Sequence, residues 1–193
     1  MKVSNKQIAN WIQMYLNSES AYNVMHRSWT GQLIHRLQCD RNDESGENVS
    51  VRWTNFIQDN LSSFDECADF ESILDKVAKY AVGFYGIGEL TIYDTATCIA
   101  IPKGMHPDRV YKHAGTREGA NALGVRGRTP GKEQFVSICK AFEQLEPMQI
   151  EDFLCIFKAC LKGDTKKCKE TCERVLKNSA KFKRNNTCSC SCC

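Results

Sequence analysis

Residues 82–91 lie between two runs whose apolar residues recur at helical spacing, and they decide how those runs can be joined. Gly86 and Gly88 flank one aliphatic residue, Ile87. Glycine takes positive φ without steric cost, so the chain can reverse sharply there and leave bare amides facing outward. The expectation is a helix, a glycine turn and a second helix, with Ile87 plugging the turn into the core. Thr91 is expected to open the second helix through its hydroxyl. A turn of this kind holds an anion by its backbone.

Helical spacing dominates the rest of the chain as well. Ser4 and Gln7 have capping-box spacing, and Ile8, Trp11, Ile12, Tyr15 and Leu16 follow on one stripe. A second helix is expected over 21–37, with Val24, Trp29, Leu33, Ile34 and Leu37 inward. The polar stretch 38–50 reads as a surface loop. Helical patterns resume over 51–61, over 65–84 as the leading helix of the hairpin, and over 90–101, where Pro102 ends the run. Thr116 is a helix cap before a short helix that ends at Leu123. Thr129 and Pro130 read as a cap and first turn, followed by helices over 133–145, 148–161 and 165–176, the last capped by Asp164. No strand is demanded. The fold class is mainly α: one compact multi-helix domain over 1–177, with the hairpin motif at 73–101 near its centre. A basic connector spans 124–132, and a flexible, basic, Cys-rich tail spans 178–193.

The 193 residues, 42% hydrophobic and 25% charged, suffice for a real core. A formal charge of +3 does not by itself argue for nucleic acid, but residues 158–184 are basic where 40–71 lean acidic. The opening residues lead into an amphipathic pattern, so no secretory leader is expected. No run is long enough to span a bilayer, and the default compartment is the cytoplasm.

Six of the twelve cysteines are scattered among helical apolar positions and read as reduced core residues. The other six are Cys168, Cys172, Cys188, Cys190, Cys192 and Cys193. Cys168 and Cys172 share a helix face, and with two tail cysteines such as Cys188 and Cys190 they offer four thiolates to a structural zinc. The spacing lacks paired CxxC knuckles, and two other readings stand beside zinc. A terminal Cys-Cys after basic residues suits lipid attachment, and the tail can equally be an oxidation-prone segment with no ligand. No other cofactor is expected. His26 and His35 have no metal-ligand spacing with Cys39.

On its apolar helix, Gly86, Ile87, Gly88 and Thr91, the segment 73–101 resembles the helix-hairpin-helix proteins, over about a sixth of the chain. The resemblance implies that the glycine-turn amides hold a nucleic-acid backbone phosphate without reading sequence, aided by the positive end of the second helix. Some glycosylases of that superfamily place a lysine on the second helix and an aspartate about twenty residues later. Leu90 stands at the lysine's place and Glu89 brings a carboxylate to the turn, while Asp108 has the aspartate's offset. Base excision is therefore the alternative, and binding the first reading.

A positive ledge is expected beside the turn. If 110–114 is helical, Arg109 and His113 share a face that Arg117 continues, with Lys112 and Thr116 adjoining. Arg126, Arg128 and Lys132 add cations from the connector. Arginine pairs with phosphate through two parallel hydrogen bonds. Asp108 and His113 are the catalytic candidates, since histidine has a suitable intrinsic pKa, although no orienting carboxylate is evident. The function expected is binding of DNA or RNA through phosphates with little base specificity, more a binding protein than an enzyme. A protein-interaction scaffold is the third class. Oligomeric state is not legible.

Overall fold

The computed structural model describes residues 3–27 and 49–187, with side chains to residue 180. It is mainly helical: ten α-helices, and no strand among the described residues. Contacts divide the chain into two compact units, Met1–Met25 with Asp108–Cys193, and His26–Pro107, where the sequence reading has a single domain over 1–177.

The first unit begins with α1, Asn5–Leu16, and α2, Glu19–Met25. Ser4 caps α1 as its spacing predicts, with its hydroxyl accepting from the Gln7 amide and the Gln7 side chain accepting from the Ser4 amide at 2.9 Å. The expected helix over 21–37 is described only to Met25; its remainder, with His35 and Cys39, lies outside the described residues. The chain returns to this unit with α6 (Ala114–Ala122), α7 (Lys132–Val136), a 3-10 turn (Lys140–Gln144), α8 (Pro147–Ile156), α9 (Lys158–Leu161) and α10 (Thr165–Thr187). Ile8, Ile12 and Tyr15 of α1 enter one core with Val110, Phe135, Phe142, Phe153 and Phe157. Phe153 sits among three rings: edge-on to Tyr15 at 5.9 Å, edge-on to Phe142 at 5.6 Å and stacked on Phe157 at 5.0 Å. Each such pair adds roughly 0.5–1.5 kcal/mol beyond the area it buries.

Four helical expectations in this unit are corrected. Residues 110–112 are extended: the Val110 amide donates to the Pro130 carbonyl (2.9 Å) and the Lys112 amide to Arg128 (3.2 Å). Arg109 bridges Gly131 antiparallel. Thr129 and Pro130 are therefore part of this ribbon, and α7 starts later, with Gly131 as its N-cap. Thr116 lies inside α6, whose N-cap is His113. Helix α10 continues ten residues past the expected 177 boundary.

The second unit holds α3 (Val49–Asp59), a 3-10 turn (Leu61–Phe64), α4 (Phe70–Ala81), α5 (Glu89–Ala100) and a 3-10 turn (Ile101–Lys103). Helix α4 starts at a reciprocal box that the sequence reading passed over. The Asp69 carboxylate accepts from the Ser72 amide at 2.8 Å, and the Ser72 hydroxyl accepts from the Asp69 amide at 3.2 Å. The Ser72 amide, then its hydroxyl, hold the Asp69 carboxyl below its ordinary pKa. A carboxylate depressed in the folded state contributes stability above its unfolded pKa and loses it as pH falls through the folded value. Asp69→Ala is therefore expected to lower the melting temperature at neutral pH, and the gap from the parent should close on acidification through the lowered carboxylate range. Thermal melts across acid pH check both.

Candidate functional site

In the second unit the glycine turn joins α4 to α5 as the spacing predicts. The Ile87 amide donates to Phe84 (3.3 Å) and the Ile92 amide to the Gly88 carbonyl (3.0 Å). Gly86 has φ +94°, which side-chain-bearing residues rarely adopt. The expected cap at Thr91 is corrected: Gly88 is the N-cap, with no side-chain cap, and Thr91 lies within the first turn. Ile87 is half-buried and so does not plug the core. Phe84 anchors the base of the turn, packed edge-on against Trp53 at 5.1 Å and tilted on Phe56 at 5.0 Å, with the Arg52 guanidinium 5.8 Å above its ring. At the tip, Val82 is 89% and Tyr85 94% exposed, and Leu90 is exposed too. A large ring turned so fully to solvent is what the glycine spacing could not announce.

The ledge residues belong to the other unit, with the connector. The ribbon brings these two basic segments together by backbone pairing, in place of the expected shared helix face. Arg109 and Arg128 both lie on it and are exposed, as is Arg126 two residues before Arg128. Gly127, between Arg126 and Arg128, has φ +89°, a reversal that only glycine makes easily. Arg117 joins the group from α6, its guanidinium donating to the Lys112 carbonyl at 3.5 Å. The Asp108 carboxylate stands 4.0 Å from the Arg109 guanidinium, and both are exposed.

Three ledge residues take other roles. Lys112 is 5% exposed and its ammonium donates to the Val125 carbonyl (3.1 Å). Burial, then the Arg117 charge, lower its pKa. Lys112 pins the loop onto the ribbon. His113 is 5% exposed at the start of α6. Thr116 is buried and donates to the Glu151 carboxylate at 2.7 Å, which locks α6 to α8. The exposed cations of the group are Arg109, Arg117, Arg126 and Arg128.

A second cluster surrounds Cys160. Gly163, at φ +78°, ends α9 with its amide on the Cys160 carbonyl, and Asp164 then caps α10 by accepting from the Lys167 amide (3.1 Å). This turn sets Cys160 against Cys168, with which it forms a disulfide. Cys172, one turn further on, completes a group whose three sulfurs lie within 4.8 Å of one another. Burial raises the pKa of the Cys172 thiol. Of the zinc set drawn from sequence, Cys168 and Cys172 lie in this group, and Cys188 and Cys190 lie outside the described residues. The third neighbour is Cys160, whose signal was the glycine turn between positions 160 and 168.

Comparison with protein-family models, curated proteins and solved structures finds no match to this chain. No helix among the described residues is long and apolar enough to cross a membrane.

Proposed function

We propose that this protein binds nucleic acid through backbone phosphates, with little dependence on base identity. The observation that carries the reading is the ribbon pairing of 109–112 with 128–131, which gathers exposed arginines from two sequence segments into one unit. Each guanidinium can take a phosphate with two parallel hydrogen bonds, and a set of them releases condensed counterions on binding. The glycine turn supports the same reading separately. Gly88 leaves the first amides of α5 without a side-chain cap, and the aromatic Tyr85 beside them has a face on which an unpaired base of any identity can stack.

The test is fluorescence anisotropy of labelled single-stranded and duplex DNA and RNA over a range of salt. Saturable binding is expected, with log affinity falling linearly against log salt. Arg126→Glu with Arg128→Glu should weaken binding to every sequence and reduce the salt slope by about two, one per lost phosphate contact. Tyr85→Ala should weaken single-strand binding more than duplex binding. Absence of binding at low salt, or an unchanged slope in the double reversal, overturns the reading.

A further inference from the structure

We propose that Cys160, Cys168 and Cys172 form a redox-gated site for a single zinc-class divalent cation, independent of the anion-binding residues. Cys160 comes from α9, and Cys168 and Cys172, four residues apart, face it from α10. A tetrahedral zinc with bonds of about 2.3 Å to sulfur holds its ligands roughly 3.8 Å apart. The three sulfurs, all within 4.8 Å, need only side-chain rotation to reach that spacing.

A second observation supplies the remaining coordination position. The same three cysteines line a cavity of about 280 Å³ together with Val3, Gln7 and Trp11 of the N-terminal segment. Three protein ligands with a fourth position facing a cavity leave room for a water or an exogenous ligand. Thiolate-rich donors favour zinc over magnesium or calcium, which take oxygen. Three thiolates on a divalent cation leave one net negative charge, and Lys169 lines the same cavity.

The disulfide between Cys160 and Cys168 makes the site conditional. In that state two of the three sulfurs are bonded to each other and only Cys172 remains a donor. A dithiol reductant opens the site: it gives two electrons and two protons to the Cys160–Cys168 bond, yielding two thiols and leaving as its own disulfide. The cation then displaces one proton from each of the three thiols, and three protons are released to solvent. Oxidation and metal occupancy exclude each other, so zinc protects the pair from oxidation.

The test uses cobalt(II), whose thiolate complexes absorb in the visible and near ultraviolet, followed by displacement with zinc. The chain carries Cys188, Cys190, Cys192 and Cys193 replaced by serine, so that tail thiols do not contribute. After phosphine reduction and removal of the reductant without air, one equivalent of cobalt is expected to bind with a sulfur-to-metal charge-transfer band. Zinc should displace it. The oxidised protein should show no such band, and Cys172→Ser or Cys160→Ser should weaken uptake by at least a hundredfold. Cys98→Ser, a buried cysteine outside the cluster, serves as the control and should leave uptake unchanged. Equal uptake by oxidised and reduced protein overturns the proposal, as does full uptake by folded Cys172→Ser. No uptake by reduced protein that retains its helical circular dichroism also overturns it.

Discussion

Gly119→Ala is expected to destabilise the first unit by about 3 kcal/mol, the upper range for overpacking a tight contact. The cause is the crossing of α6 on α8. A Cβ built at 119 collides with the carbonyl oxygen of Leu154 and stands 3.0 Å from its carbonyl carbon. The obstacle is backbone in the last turn of α8, which cannot rotate away as a side-chain end would. Gly119 is also helical and carries no positive φ, so conformational freedom is not what it supplies; the room for α8 is. The same crossing carries the buried hydrogen bond from Thr116 to Glu151, so separating the helices also exposes that pair. Denaturant unfolding of Gly119→Ala should show a lower midpoint. Gly88→Ala is the contrasting control, because nothing lies within 4 Å of a Cβ there and φ is −96°. Equal midpoints for Gly119→Ala and the parent would refute the packing argument.

Asp94→Ala is the second large effect, expected to cost about 3–5 kcal/mol in the His26–Pro107 unit. Arg27, only 4% exposed, donates to the Asp94 carboxylate at 3.1 Å and to the Thr97 hydroxyl at 3.0 Å. Thr97 in turn donates to the Asp94 carbonyl at 2.9 Å, so one buried cation is held by two acceptors on successive turns of α5. Removing the carboxylate leaves a desolvated guanidinium with its charge uncompensated. A double substitution, Arg27→Met with Asp94→Leu, removes both charges and should recover much of the loss. Calorimetry or denaturant titration of the single and double variants decides the matter. If the double variant is no more stable than Asp94→Ala, the charge argument fails and the loss lies in packing.

What the sequence disclosed follows from the range of each interaction. Helix α1 was legible because its cap, Ser4 with Gln7, and its buried stripe lie within twelve consecutive residues. The glycine turn was legible for the same reason. Its polarity was not: whether Ile87 or Tyr85 turns outward depends on how Phe84 packs against Trp53 and Phe56, residues some thirty positions earlier. The ledge failed as a helix because the partner of 110–112 is the connector at 128–130, and a β-type pairing leaves no periodic trace in five residues. The pairing joins ledge and connector through their backbones, whereas the sequence reading had both segments facing the Gly86 turn, which belongs to the other unit. It also withdrew Lys112, whose burial depends on the Val125 carbonyl. The cysteine group was half legible. Cys168 and Cys172 share a helix face by spacing alone, whereas Cys160 enters only through the reversal at Gly163.

The first unit is discontinuous along the chain: its first twenty-five residues and everything from Asp108 onward enclose the whole of the second. During synthesis the apolar stripe of α1 therefore emerges long before Phe142, Phe153 and Phe157, the rings it will pack against. The ribosome must release the whole intervening unit first, and that unit has every residue it needs to fold as soon as Pro107 is free. Its folding draws in the long intervening chain, and so reduces the loop that α1 must close to meet its partners. The order of translation thus makes the inner unit the natural first step, and makes Ile8, Ile12 and Tyr15 the surface that a nascent chain leaves longest in need of shelter.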